Sequence, residues 1–562
     1  MTRFEGLEGL EALRKRVVEA DRRHHEGPRI SPRLKFVTIG ERLITPRLKI
    51  GLSWGLVALA AAVLVYRALL VERETVDDLF IYLRYARNLA ERHEVAFSPG
   101  VRVEGFSSPL WTLLLSVFWS LGVQGVAAAK GLGLLVLAAI PFAAALAVRR
   151  SMPKVPLAAA LPACALALDS DLALWGISGM DTPLFALSCV GCVAMAAGSS
   201  TERVAFALGL LPWVRPEGPL LTVLGAGVLL LHSREVRVLR VLTYAFAPLV
   251  VLTALRVGYF HEVLPNTFFA KMGATDGRDF TGLGYVGSAL ARRPVLFLLA
   301  LLVPLVRRPV RRETALALAL LAGVVIFALA AGGDWMPNRR LLVPALPLAA
   351  LAVTFAGWPQ LSYVLVVLAL EGAWSTDRAL DQRWRHLEPL DRRVSYGLPP
   401  AGIFRTPYPL DWMPTHLLDA LAPYVHPGDT VAHVDMGQLP YVMHDVRFLD
   451  GFGLVDREAG RVQFAPDDRA ARARASSVFF AVRPVAVIVV LDRRSGEAFS
   501  PSQRAVLGDP RFNDDYREIW RVPTWGNHPC VVLVRRDRPP ADDWAARRTH
   551  WLAAVRDVSP SD

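Results

Sequence analysis

Two carboxylates stand side by side in Thr75-Val76-Asp77-Asp78-Leu79-Phe80-Ile81-Tyr82, just after an apolar run from Leu52 to Leu70. An acid placed there suits general-base chemistry at a lipid surface, because a positioned carboxylate can take the proton of an attacking hydroxyl. Helix capping is the plain alternative, since acids at a helix N-terminus complement its dipole. Neighbouring helical residues point about 100° apart, so one acid can cap while the other faces a cavity. The pair is a candidate catalytic site.

Cations stand in comparable places. Lys271 closes Pro265-Asn266-Thr267-Phe268-Phe269-Ala270-Lys271, and Arg339-Arg340 follow Asp334 in Gly332-Gly333-Asp334-Trp335-Met336-Pro337-Asn338-Arg339-Arg340. Arg grips phosphate oxygens through a planar fork and Lys acts as a mobile point charge, so Lys271, Arg339 and Arg340 are candidate phosphate-binding residues. Snorkelling to lipid headgroups uses the same chemistry. Arg215-Pro216-Glu217-Gly218 puts both charges between apolar segments, where they are costly unless paired or facing a polar cavity. Arg215, Glu217, Glu104, Asp181, Asn266 and Asp334 complete the candidate substrate-binding set.

Metal chemistry has a narrower basis. Asp77 or Asp78 with another outer-loop acid offers oxygen ligands of the kind magnesium or calcium takes. No histidine pair has metal-ligand spacing on a helix, and only His261 lies near a motif, so zinc has no support. Cys164, Cys189, Cys192 and Cys530 offer no disulfide framework and read as structural.

A membrane must position these residues. The 562 residues are 53% hydrophobic with a mean hydropathy of +0.34, too apolar for one soluble core. Candidate spans are 50–70, 125–148, 155–168, 182–198, 203–214, 217–231, 238–256, 294–306, 313–331, 340–357 and 360–373. The net charge of +12 reflects topology: residues 1–50 carry twelve Lys/Arg against seven Asp/Glu, and Arg149-Arg150, Arg234, Arg237, Arg240, Arg307-Arg308 and Arg311-Arg312 lie in short gaps between spans. By the positive-inside rule these are cytoplasmic. No nucleic-acid-binding module accompanies the charge.

Reading Leu110–Gly122 as an interfacial or re-entrant helix, with Trp111 and Trp119 at headgroup level, keeps every basic loop inside. The expected architecture is a polytopic α-helical membrane protein: a basic cytoplasmic segment over 1–49, about eleven transmembrane helices over 50–373 with a first outer loop at 71–124, and an extracytoplasmic α/β domain over 374–562. All the candidate site residues then lie on the outer side. From Asp78 to Glu91 apolar residues recur at three and four while Arg84, Arg87, Asn88 and Glu91 take the other side, which predicts an amphipathic helix along the membrane surface. In the C-terminal part, strands are expected at Thr430–Val434, Val446–Leu449, Val485–Leu491 and Cys530–Val534, and a helix at Ala470–Val482. Gly437-Gln438-Leu439-Pro440-Tyr441 follows the first strand as a candidate binding turn, and Trp520, Trp525, Trp544 and Trp551 read as packing residues before sugar platforms.

The order of Asp-Asp-x-Phe-Ile-x-x-Arg-Tyr-Ala-Arg-Asn-Leu-Ala (77–90), Val-Glu-Gly-Phe-Ser-Ser-Pro-Leu-Trp-Thr (103–112), Arg-Pro-Glu-Gly (215–218), Pro-Asn-Thr-Phe-Phe-Ala-Lys (265–271) and Gly-Gly-Asp-Trp-Met (332–336) resembles the GT-C superfamily of membrane glycosyltransferases. Within it, the chain is similar to the bacterial branch containing the mycobacterial terminal arabinofuranosyltransferase. Gly437–Tyr441 and Asp450-Gly451-Phe452-Gly453-Leu454 also look like that branch. The resemblance implies an enzyme of the bacterial plasma membrane that moves a sugar, arabinofuranose in that branch, from a polyprenyl-phosphate donor to a cell-envelope glycan, lipid or protein, with Asp77 favoured as base and inversion at the anomeric carbon. Related sequences often carry Glu where this chain has Asp181 in Ser178-Gly179-Met180-Asp181-Thr182-Pro183. A transporter or flippase of a lipid-linked sugar would need the same cations but also midplane charges and internal repeats. The spans carry little charge beyond Lys130 and end-placed arginines such as Arg67, and no repeat is evident. A non-catalytic assembly protein would tolerate loss of the acidic pair.

Overall fold

The computed structural model describes residues 45–72, 75–232, 238–272, 282–306, 310–334, 336–357, 408–409, 412–492, 495–525, 528–553 and 558–559. The expected span 360–373 and the expected boundary at 374 lie outside the described residues.

Among the described residues four helices are long and apolar enough to cross a membrane: α1 (Pro46–Leu69), α4 (Gly125–Ser151), Val238–Phe260 and Arg312–Ala330. Two bent pairs raise the number to six if each is one span: Pro156–Leu166 with Ser170–Ile177, bent by 74°, and Gly282–Arg292 with Pro294–Leu305, bent by 100°. Against the eleven crossings expected from hydropathy, four to six candidates meet this length and composition among the described residues. The difference has a physical reason. Thr182–Ala196 and Gly218–His232 have 15 residues each, short of the roughly 20 a straight crossing needs, and Ala345–Phe355 is buried along nearly its whole length. Their hydrophobicity answers to neighbouring helices as much as to lipid. Thr182–Ala196 packs on α4, and Ala345–Phe355 on Arg312–Ala330.

Between α1 and α4 lie α2 (Asp78–Arg92) and α3 (Pro109–Ser120). Ser108 caps α3, accepting from Trp111 N, and Pro109 fills its first turn. Trp111 is fully buried, donating its indole N–H to the Gly179 carbonyl at 3.1 Å, and Trp119 donates to Glu91 at 3.0 Å. Both rings pack into protein, which corrects their expected placement among headgroups.

The C-terminal part is a five-stranded sheet of β1 (Thr430–His433), β2 (Arg447–Asp450), β3 (Ala486–Val490), β4 (Tyr516–Trp525) and β5 (His528–Arg535), in the order β2-β1-β3-β5-β4. β1 pairs in parallel with β2 and β3, while β3–β5 and β4–β5 are antiparallel. The continuous apolar run Ala486-Val487-Ile488-Val489-Val490 is buried at every position, as a central strand covered on both faces requires. Arg469–Val482 is the expected helix, ending in a left-handed Arg483.

This sheet unit sits on α2. The buried Arg84 guanidinium donates to the carbonyls of Phe97 (2.8 Å), Val446 (2.7 Å) and Pro440, Ser98 exchanges hydrogen bonds with Phe448, and the Phe80 ring meets Tyr441 at 5.3 Å. Asn88, also buried, donates to the carbonyls of Ala96 and Phe97. The expectation of a helix lying on the membrane surface is thus corrected: α2 is enclosed on both faces, and half of its supposed water-facing side clamps backbone.

Candidate active site

The outer-loop motifs converge around the N-terminus of α2. Asp77 occupies the N-cap position but makes no side-chain cap bond. Its Oδ1 instead accepts from the Gln438 backbone N–H at 3.0 Å, across 361 positions of sequence, and the Asp435 carboxyl lies within hydrogen-bonding reach. Gly437 is required here, because a Cβ on it would fall on the Asp77 carboxylate. Burial, then the Asp435 charge, raises the Asp77 pKa well above the usual carboxylate value, with the Gln438 N–H opposing them. Asp78 faces the other way and meets Lys271 Nζ at 3.6 Å.

The cation side is built by the loop after Arg312–Ala330. Gly332 and Gly333 adopt left-handed φ of 71° and 94°, and at Gly333 a Cβ would strike the Tyr285 ring. That turn delivers Asp334 to Arg340 Nη2 at 2.7 Å. Burial alone would raise Asp334, but Arg340 and then Lys271 hold it below the usual carboxylate range. Arg340 is buried, lies 5.7 Å from the Trp175 ring centre, and also feels the charges of Arg215, Asp181 and Asp78. Arg215 makes a forked pair with Glu217 (2.7–3.1 Å) and reaches Asp181 at 3.3 Å. The Tyr82 hydroxyl, bonded to Ser107 at 3.0 Å, is held neutral by burial and by Asp181.

Among the buried atoms of this cluster without a hydrogen-bond partner are Asp181 Oδ2, Arg340 Nε and Trp175 Nε1. Leaving such groups unmatched costs about 1–3 kcal/mol each, so a bound polar molecule that satisfied them would gain correspondingly.

Several predicted residues do other work. Asn266 spends its side-chain amide on the carbonyls of Gly453 (2.7 Å), Asp456 (2.8 Å) and Leu454 (3.2 Å), tying the membrane part to the sheet unit. Glu104 makes a forked pair with Arg256 at 2.8 and 2.9 Å, and its carbonyl accepts from Asn266 N. The next residue of that motif, Gly105, leaves room for the Tyr85 hydroxyl, which bridges Gly105 N and Val103 O. The side chains of Glu104 and Asn266 thus make contacts that hold the protein together. Arg339 parts from Arg340: both it and Asn338 have left-handed backbones, and its Nε reaches Ser288 at 2.6 Å while its charge meets Arg292 and Asp171. Its surroundings thus differ from those of Arg340. Trp335 lies outside the described residues.

Sequence reading missed Asp435, Gln438, Tyr82, Ser107 and Trp175 as parts of the site. Only Gly437-Gln438 had a signal, as a turn after a strand.

The site is thus an enclosed carboxyl beside a cluster of buried cations on a helical membrane scaffold. The fold is that of the crystal structure of ArnT from Cupriavidus metallidurans in the apo state, with a TM-score of 0.50 over 86% of this chain and 98% of that one at 14% identity. It is the fold of a multi-pass membrane protein. In sequence the chain is similar to the terminal beta-(1->2)-arabinofuranosyltransferases of Corynebacterium glutamicum, 28% identical over 57% of this chain and 54% of that protein, and of Mycobacterium tuberculosis, 30% identical over 49% and 51%. The chain thus spans about half the length of the curated relatives it matches. A domain of unknown function, DUF8728, matches residues 411–546, most of the sheet unit.

Proposed function

We propose that this chain is a glycosyltransferase of the plasma membrane that moves a sugar from a polyprenyl-phosphate donor to a cell-envelope glycan, lipid or protein on the outer face. What supports this reading is one arrangement: Asp77, enclosed and raised in pKa, next to Asp78–Lys271 and the buried Arg340, with Asp181 Oδ2 and Arg340 Nε unmatched. The arabinofuranosyltransferase relatives make arabinofuranose the first sugar to test. The N-terminus is cytoplasmic and the sheet unit extracytoplasmic in this scheme, following the basic loops.

Asp77 is the base. It takes the proton of the acceptor hydroxyl as that oxygen attacks the anomeric carbon, and a raised pKa brings it closer to the operating pH, where a base is most effective. The bond from the anomeric carbon to phosphate oxygen breaks in the same step, and the configuration inverts. Lys271 and Arg340 receive the charge that grows on the departing phosphate, while Asp78 holds Lys271 in place. Arg215 and Glu217 set Asp181 at the sugar-binding side. No general acid is required, because a phosphate leaves readily.

The close approach of Asp77 and Asp435 favours one further use. Two carboxylates within hydrogen-bonding reach offer oxygen ligands to magnesium or calcium, and such an ion would supply positive charge beside the acceptor oxygen. Loss of transfer in chelator with recovery on adding Mg2+ is its signature. The decisive assay follows labelled sugar from polyprenyl phosphate into membrane acceptors for wild type, Asp77→Asn and Asp78→Asn at matched expression. Full transfer by both variants defeats the catalytic reading. Labelled lipid crossing the bilayer without transfer in wild type makes the chain a flippase, against which stand the span charges: Lys130 contacts the Glu72 carbonyl and Arg67 the Ser170 hydroxyl at 3.0 Å.

A further inference from the structure

The loop that Arg84 holds carries His444 and Asp445, and the helix Trp544–Ala553 brings His550 to them. One ligand-type atom from each of the three lies within 4.8 Å of the other two. No spacing along the chain could point to this grouping, because its third member lies 105 positions from Asp445.

His444 and Asp445 already have the outer contacts that metal ligands need. His444 Nδ1 is 3.2 Å from the Val442 carbonyl. A carbonyl only accepts, so the proton of that contact sits on Nδ1 and the lone pair on Nε2, the form in which a histidine binds metal. Asp445 gives Oδ1 to the Trp551 indole N–H at 2.6 Å, which leaves Oδ2 facing His550 Nε2 at 3.2 Å. Trp551 is fully buried and anchors the helix, whereas the His550 side chain is 55% exposed and offers an entry path. The loop itself is fixed before any ion arrives: Gly428 N donates to the Asp445 carbonyl at 2.8 Å, and Arg84 donates to Val446 O. Arg87, the cation that faces His444, is paired with Glu91 at 3.0 Å.

We propose that His444, Asp445 and His550 bind one divalent transition-metal ion of the zinc type, with water in the fourth position. Two imidazoles and a carboxylate suit zinc, and hard oxygen-seeking ions such as Mg2+ are poorly served by two nitrogens. Ligands about 2.0–2.2 Å from zinc in a tetrahedron stand about 3.4 Å apart, so a modest inward rotation of the two rings closes the site. The ion joins the helix Trp544–Ala553 to the loop that packs on α2, and so strengthens the seat of the sheet unit. This assignment does not depend on the proposed reaction.

The test uses the full chain purified in detergent, stripped with chelator and dialysed, then titrated with ZnCl2. Bound zinc is counted by elemental analysis and Tm is followed in parallel, with MgCl2 as the second arm. The expected result is zinc bound by wild type with a rise in Tm that MgCl2 does not reproduce, and one zinc fewer, or at least tenfold weaker binding, in His550→Ala and His444→Ala. Equal zinc binding by wild type and both variants, or none by wild type, overturns the proposal. Should His444→Ala fail to fold, the exposed His550→Ala decides alone.

Discussion

Asp77 and Asp78 are neighbours in the chain but belong to two different regions of the molecule. Asp77 points at the sheet unit, where a backbone N–H, a bare glycine and a second carboxyl surround it. Asp78 points at the helical part, where Lys271 meets it and Arg340 lies within electrostatic reach. The first setting disfavours negative charge and suits a group that must accept a proton. The second supplies positive charge and suits a group that positions cations. Two identical side chains are thus given different chemistry by what packs against them.

The largest effect expected from this contrast is in Asp77→Asn, which should lower transfer by about 10²–10⁴-fold, while Asp78→Asn keeps measurably more activity. A reversal of that order in initial rates exchanges the two roles. Gly437→Ala comes next: its methyl group must displace the Asp77 carboxylate, so transfer should fall roughly as far as in Asp77→Asn. Overpacking there costs about 1–3 kcal/mol of stability, to be read from chemical denaturation. Arg340→Gln should cost about 10²-fold in kcat, as expected for loss of one preorganised charge-stabilising donor. Arg339→Gln, at a residue that faces Ser288, should leave kcat within a few-fold of wild type, and equal losses in the two would restore the pair as one site.

The smallest effect is a shift in pH. A base works ionised, so its activity falls as pH drops through its pKa, and Asp77 should lose activity at a higher pH than an ordinary carboxylate would. Asp435→Asn removes the neighbouring like charge, lowers the Asp77 pKa and moves the acid limb of kcat/KM to lower pH. An unmoved limb would separate Asp435 from the reaction.

Legibility differed between the two regions for a reason. The cation side was readable because charges between apolar runs are rare and expensive, which drew attention to Arg215, Glu217, Asp334 and Arg340. Glu104 and Asn266 stood out equally but serve as clamps, since a buried polar group looks the same in sequence whether its partner is a substrate or another loop. The sheet side was nearly silent: Asp435 and Gln438 are ordinary residues of an ordinary strand-to-helix turn. The helix count is open to the same ambiguity, because an apolar 15-residue run does not declare whether protein or lipid will cover it.

By itself the sequence determined that this is a multi-pass membrane protein, that its chemistry-bearing motifs fall in loops between apolar runs, and where most of the C-terminal strands begin and end. Those properties follow from hydropathy, charge cost and local periodicity, which act over a few residues to a few tens. Tertiary structure alone decided which acid is enclosed, which arginine joins the cluster, that α2 is clamped rather than afloat, and that His550 meets His444 and Asp445. Each of these depends on contacts between residues tens to hundreds of positions apart, and the physical effects concerned, desolvation and charge proximity, are set by distance in space and leave no mark on the spacing along the chain.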